Sequence, residues 1–73
     1  MTTVDFELTH DYVELNQLLK LAGVCDSGGA GKALVAEGLV QVDGQPESRK
    51  TAKIRAGQVV TCGDFRIVVA GKK

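Results

Sequence analysis

Tryptophan is absent from this 73-residue chain, and histidine, tyrosine and proline each occur once. Each scarcity removes a class of function. Catalysis needs a nucleophile or base with a partner. His10 stands alone ahead of a helix start, Ser27 has no base to activate it, and Asp11 and Glu14 suit the positive end of a helix dipole. No catalytic residue and no small-molecule substrate are expected. The two cysteines, Cys25 and Cys62, form no C-x-x-C pair and have no histidine beside them. Metal-ligand spacing is therefore missing, and neither metal nor cofactor is expected. The thiols read as small apolar residues of a reducing, cytoplasmic protein. No apolar run has signal-peptide character or approaches the roughly 20 residues that cross a bilayer, so no membrane partner is expected. Tyr12, Phe6 and Phe65 are the only aromatic residues and fall where packing explains them. That leaves little for base stacking of the single-strand kind.

A chain of this length holds one small core, so residues 1–73 are expected to form a single domain with Lys72 and Lys73 as a frayed tail. Formal net charge is zero, yet the sign is unevenly spread. Asp5, Glu7, Asp11, Glu14 and Asp26 precede Lys32 against Lys20 alone, whereas the remainder is cation-rich. Such asymmetry points to a polyanionic partner that an overall neutral chain would hide.

"CDSGGAGKALVAEGLVQVDG", from Cys25 to Gly44, invites a nucleotide-loop reading through Gly31-Lys32. The loop pattern needs Gly and a hydroxyl where this chain has Asp26 and Ala33, so the magnesium ligand is lost and a carboxylate faces the phosphates. The better reading is a second helix of about Ser27 to Glu37, capped by Ser27 or Asp26 and ended by Gly38. Its glycines each weaken it by roughly 1 kcal/mol relative to alanine. Close approach to a neighbouring helix at Ala30 and Gly31 is one reason to keep them.

Elsewhere the periods are plain. Val4, Phe6 and Leu8 alternate with polar residues as a short edge strand. In "DYVELNQLLKLAG", Leu15, Leu18, Leu19 and Ala22 share one helical face, with Asp11 as cap, Glu14 as its box-like partner and Gly23 as terminator. Ala30, Ala33 and Leu34 are the expected inner face of the second helix. "LVQVDG" reads as a strand ending in an Asp43-Gly44 turn, Pro46 limits the strand after it, and "QVVTC" and "FRIVV" form a hairpin across Gly63-Asp64. The fold expected is α+β, two short helices packed on a small, mostly antiparallel sheet.

Arg49, Lys50, Lys53 and Arg55 place four cations in a stretch that contains no acid. A phosphate backbone suits such a run, because each phosphate neutralised releases condensed counterions. Lys32, on the exposed side of the second helix, would extend the patch.

These features together resemble the small RNA-binding domain named after ribosomal protein S-four. The first helix "VELNQLLKLAG", the second "DSGGAGKALVAEG" opened by Ser27 and ended by Gly38, the strand and turn "LVQVDG", and "KIRAGQVV" with Ile54, Gly57 and Val59 follow its order over about residues 11 to 62. The chain is most similar to the stand-alone bacterial members. The resemblance implies an alpha-L RNA-binding motif that holds RNA, ribosomal RNA among the candidates, on the two helices and the basic stretch. The site residues carried over are Ser27, Gly28, Lys32, Arg49, Lys50, Lys53 and Arg55. Gly28 departs from the family, which usually has a basic residue there, while Lys32 matches the later basic position. Gly28 and Gly29 would let an RNA backbone approach the helix N-terminus.

Two other classes compete. A protein-docking module would use the basic run as its rim, and a DNA-reading helix-turn-helix is imitated by residues 11 to 37. In the latter, Gly28 and Gly29 occupy places where base-reading side chains belong. A sulfur-carrier fold is disfavoured by the Lys72-Lys73 ending. RNA ranks first, protein docking second and DNA third. Oligomeric state is not legible.

Overall fold

Alternation in the sequence becomes rows of aliphatic side chains across a sheet. The computed structural model describes residues 2–71, so the tail expected at Lys72 and Lys73 lies outside the described residues. In chain order the elements are β1 (Thr2–Glu7), β2 (Val13–Glu14), α1 (Leu15–Leu21), α2 (Gly28–Ala36), β3 (Val40–Val42), β4 (Gln45–Pro46), β5 (Lys53–Ile54), β6 (Val59–Cys62) and β7 (Phe65–Ala70). A five-stranded sheet has the order β1-β7-β6-β3-β4, and β2 pairs separately with β5. Only the β1–β7 pair is parallel, so the architecture is the expected one of two helices on a mostly antiparallel sheet.

Register puts Val4, Ile67, Val60 and Val42 in one row, strand by strand. Ile67 and Val60 are wholly buried, and Leu18, Leu19 and Val35 from the helices join them in one core. Truncating any of these leucines to alanine removes about 2–5 kcal/mol, because the cavity left behind cannot fully collapse. β1 is an edge strand, as its pattern suggests. β4 is held to two residues because Pro46 cannot donate to a ladder. The β3–β4 turn uses Asp43 at φ 52° and Gly44 at φ 80°, the left-handed pair whose twist matches a hairpin.

Both cysteines are free thiols. Cys62 lies in the core, and burial foremost, with the neighbouring Cys25 second, pushes its pKa up. Inert apolar packing is thus the role of Cys62.

The helices differ from expectation in two places. The first starts later than Asp11 suggests, because Val13 and Glu14 pair with Ile54 and Lys53 as a strand instead of forming a first turn. Glu14 is the N-cap by position but makes no side-chain cap, and Asp11 lies outside the helix. In the second helix the buried face is Gly31 and Val35 rather than Ala30 and Ala33. Leu34 packs at the margin of the core as expected, while Ala33 is exposed. Gly31 sets this rotation: a Cβ there would sit 2.6 Å from the backbone oxygen of Asn16. The helices meet backbone to backbone at that point, and only glycine permits it.

Candidate nucleic-acid interface

The two helices begin side by side, and their first turns are completed by different chemistry. At α2 the Ser27 hydroxyl accepts a hydrogen bond from the Ala30 N–H at 3.1 Å. Of the two caps the sequence offers, Ser27 and Asp26, the structure uses Ser27. This cap leaves the hydroxyl proton of Ser27 free to donate, and the N–H groups of Gly28 and Gly29 have no acceptor within the helix. At α1 the orphan donors are answered from afar. The Leu15 N–H donates to the Ala52 carbonyl at 2.9 Å, and the Asn16 N–H to the Lys50 carbonyl at 3.1 Å. The basic segment is therefore docked by its own backbone on the start of α1, with its cationic side chains left outward.

Asn16 joins the two starts. Its backbone meets Lys50, and its side-chain amide donates to the Gly28 carbonyl at 3.4 Å. It is 3% exposed, and its Oδ1 finds no hydrogen-bond partner. Gly28 faces α1, since a Cβ there would lie 3.0 Å from Gln17 Nε2 and 3.2 Å from Asn16 Nδ2. Glycine at position 28 thus leaves room for the Gln17 side chain. Gly29 is open, with Ser27 Oγ at 3.8 Å as the nearest atom to an added Cβ. Lys32 is exposed one turn further along the Gly28 side of α2.

The far end of the basic segment is fixed by a second set of bonds. The Arg55 N–H donates to Gln58 Oε1 at 2.7 Å, Gln58 Nε2 donates to Asp43 Oδ2 at 3.3 Å, and the Val59 N–H donates to Asp43 Oδ1 at 2.9 Å. The β3–β4 turn thereby positions Arg55. Between the two anchors, Lys50, Lys53 and Arg55 are exposed, and none of them, nor Lys32, has an ion-pair partner among the described residues.

Arg49 is different. No acid lies within the run, but Glu47 stands just ahead of it and takes the guanidinium: Nε donates at 3.1 Å and Nη2 at 3.1 Å, and the Arg49 N–H adds a bond at 3.0 Å. Those bonds, the side-chain ones first, hold the Glu47 carboxyl below the usual carboxylate range. Arg49 itself is raised by the same partner, and its side chain is 77% exposed. It contributes less unneutralised charge than its neighbours.

Tyr12 corrects the expectation that all three aromatics are packing residues. It is 39% exposed, because β2 rather than a helix follows it and leaves the ring beside β5. Lys53 Nζ lies 5.0 Å and the Arg55 guanidinium carbon 5.8 Å from the ring centroid, both within cation–π range. Sequence reading missed Tyr12, Asn16, Gln17 and Glu47. The legible signals were a polar residue set among the leucines of α1 and an acid two places before an arginine.

The fold is a small α+β domain in which two helix starts lie beside an exposed basic segment. Residues 6–70 match the S4 domain, and the chain belongs to the S4 domain family. YbcJ of Escherichia coli (strain K12) is 54% identical over 60 residues, covering 82% of this chain and 86% of YbcJ. The solution structure of YbcJ, described as revealing an αL motif involved in RNA binding, matches with a TM-score of 0.73 at 44% identity over 96% of this chain and 90% of that one. RlbA of Bacillus subtilis (strain 168), named a probable ribosome maturation protein, is 38% identical over 61 residues, 80% of this chain and 86% of RlbA. Among the described residues no helix is long and apolar enough to cross a membrane, and no cluster of three or more His, Cys, Asp or Glu side chains could hold a metal ion.

Proposed function

We propose that this chain is a non-catalytic, single-domain RNA-binding protein of the cytoplasm that grips structured RNA by its phosphates. The observation that carries the reading is the docking of the basic segment onto the start of α1. Through Asn16, the same contact holds the first turn of α2 alongside. Lys50, Lys53 and Arg55, with Lys32 on α2, supply cationic charge that no carboxylate among the described residues neutralises, and Arg49 adds to it once released from Glu47. Ser27 and Gly28 offer hydroxyl and backbone donors at a helix start, where anions are favoured. The name of RlbA makes ribosomal RNA the first substrate to try.

Fluorescence anisotropy with structured ribosomal RNA fragments across a salt series tests the reading. About four phosphate contacts give a slope of roughly −3 to −4 in log affinity against log salt, at about −0.7 to −0.9 per contact. Changing Lys32, Arg49, Lys50, Lys53 and Arg55 together to Gln is expected to abolish binding. Undiminished affinity in that variant, folded by circular dichroism, would overturn the phosphate grip. Absence of RNA binding at low salt would turn the assignment to protein docking.

A further inference from the structure

We infer that Tyr12 is a stacking platform for one unpaired RNA base, with Lys53 and Arg55 holding the phosphate of the same or the adjoining nucleotide. The inference rests on the RNA-binding reading and adds to it the feature recognised, an unpaired nucleotide in a loop or bulge rather than a continuous duplex.

Three observations carry it. First, the ring is exposed although a large aromatic gains most from burial, and it lies within 5.0 Å and 5.8 Å of two cationic groups. A base has a π-face for the ring and a phosphate for the cations, so one nucleotide satisfies all three groups. Second, Tyr12 lines a surface depression with His10, Val13, Glu14 and Gln17. Those polar side chains place donors and acceptors around a stacked base, where its Watson–Crick edge needs them. Third, the depression adjoins the proposed grip at its two ends. Gln17 lines it and also lies against Gly28 at the start of α2, while Lys53 borders a second depression with Arg49, Thr51 and Ala52. In a closed A-form helix the bases are stacked on one another and offer no free face to a ring. The depression therefore selects a nucleotide that has left the stack.

The chain itself supplies the reporter, since Tyr12 is its only tyrosine and there is no tryptophan. Its intrinsic emission reads this site alone. A short RNA hairpin with a purine-rich loop and the blunt duplex of its stem are titrated into the protein, following tyrosine emission and, with labelled RNA, anisotropy. The hairpin is expected to bind more tightly and to quench the emission, with the duplex leaving it unchanged. Tyr12→Leu is expected to weaken hairpin binding about 5- to 150-fold. Its salt slope should stay that of the parent, which separates lost stacking from disturbed cations, and Tyr12→Phe should bind nearly as the parent does. Binding of the hairpin without quenching, together with equal affinity in Tyr12→Leu, overturns the platform and leaves the RNA grip standing. No anisotropy change with either RNA overturns both.

Discussion

The starts of α1 and α2 lie against each other yet are made by opposite strategies. α2 is capped by the residue that precedes it, Ser27, whereas α1 has no side-chain cap and takes the carbonyls of Lys50 and Ala52 from a segment distant in sequence. A local cap lets a helix end form wherever its own residues go. A distant cap makes the helix end and the segment that completes it a single event, so the cations of 50–55 reach their places only when α1 does. The exposed cationic charge is thereby organised by the fold and not by its own loop.

The contrast breaks most severely at Gly31, where the two helices touch. Gly31→Ala places a methyl 2.6 Å from the Asn16 backbone oxygen, and backbone, unlike a side-chain tip, cannot swing away. The helices must part, at a cost of about 1–3 kcal/mol typical of overpacking. Urea unfolding should show it as a lower midpoint with little change in slope. A midpoint equal to the parent's would mean that the approach is not close in solution.

Capping is the next largest effect. Ser27→Ala should cost about 1 kcal/mol, the usual loss of a hydroxyl cap, while Asp11→Ala should stay within about 0.5 kcal/mol because its carboxylate caps nothing. Equal losses for the two variants would show that α1 has a local cap after all. Gly29→Ala sharpens the same comparison with the opposite sign. Nothing crowds its Cβ apart from Ser27 Oγ at 3.8 Å, so better helix propensity should gain about 0.5–1 kcal/mol. A Gly29→Ala variant less stable than the parent by the same urea assay would contradict that open geometry.

What the sequence made legible follows the same division. Features encoded by neighbours were readable: the helix cap at Ser27 or Asp26, the Gly23 and Gly38 stops, the Asp43-Gly44 turn and the hairpin of "QVVTC" and "FRIVV" across Gly63-Asp64. Features encoded by distant partners were not. Nothing near Asp11 announces that Val13 and Glu14 will pair with Ile54 and Lys53, and without that pairing Tyr12 reads as packing and Asp11 as a cap. The rotation of α2 was missed for a related reason: alanine and glycine look alike by hydropathy, and only the Asn16 backbone distinguishes Gly31 from Ala33. Of the candidate site, the cations were named from their density, but their arrangement depends on backbone bonds from Asn16 and Gln58 that carry no charge signature.

The smallest expected effect concerns Glu47, the acid that separates Arg49 from the other cations. The folded protein holds this carboxyl below its ordinary pKa through the Arg49 bonds, so the pair stabilises the fold fully above the ordinary carboxylate range. That contribution is lost as pH falls through the depressed folded value. Because the Arg49 N–H donates to the same carboxylate, its amide chemical shift reports the titration directly. The midpoint should lie below that of an unperturbed glutamate, and one at or above it would remove the ion pair. Glu47→Gln at neutral pH then makes Arg49 available to phosphate. Its effect should appear as a steeper salt dependence of RNA binding, by no more than the roughly 0.7–0.9 of a single added contact. An unchanged slope would show that Arg49 already reaches the RNA while paired, in which case Glu47 orients the guanidinium for phosphate instead of withholding it.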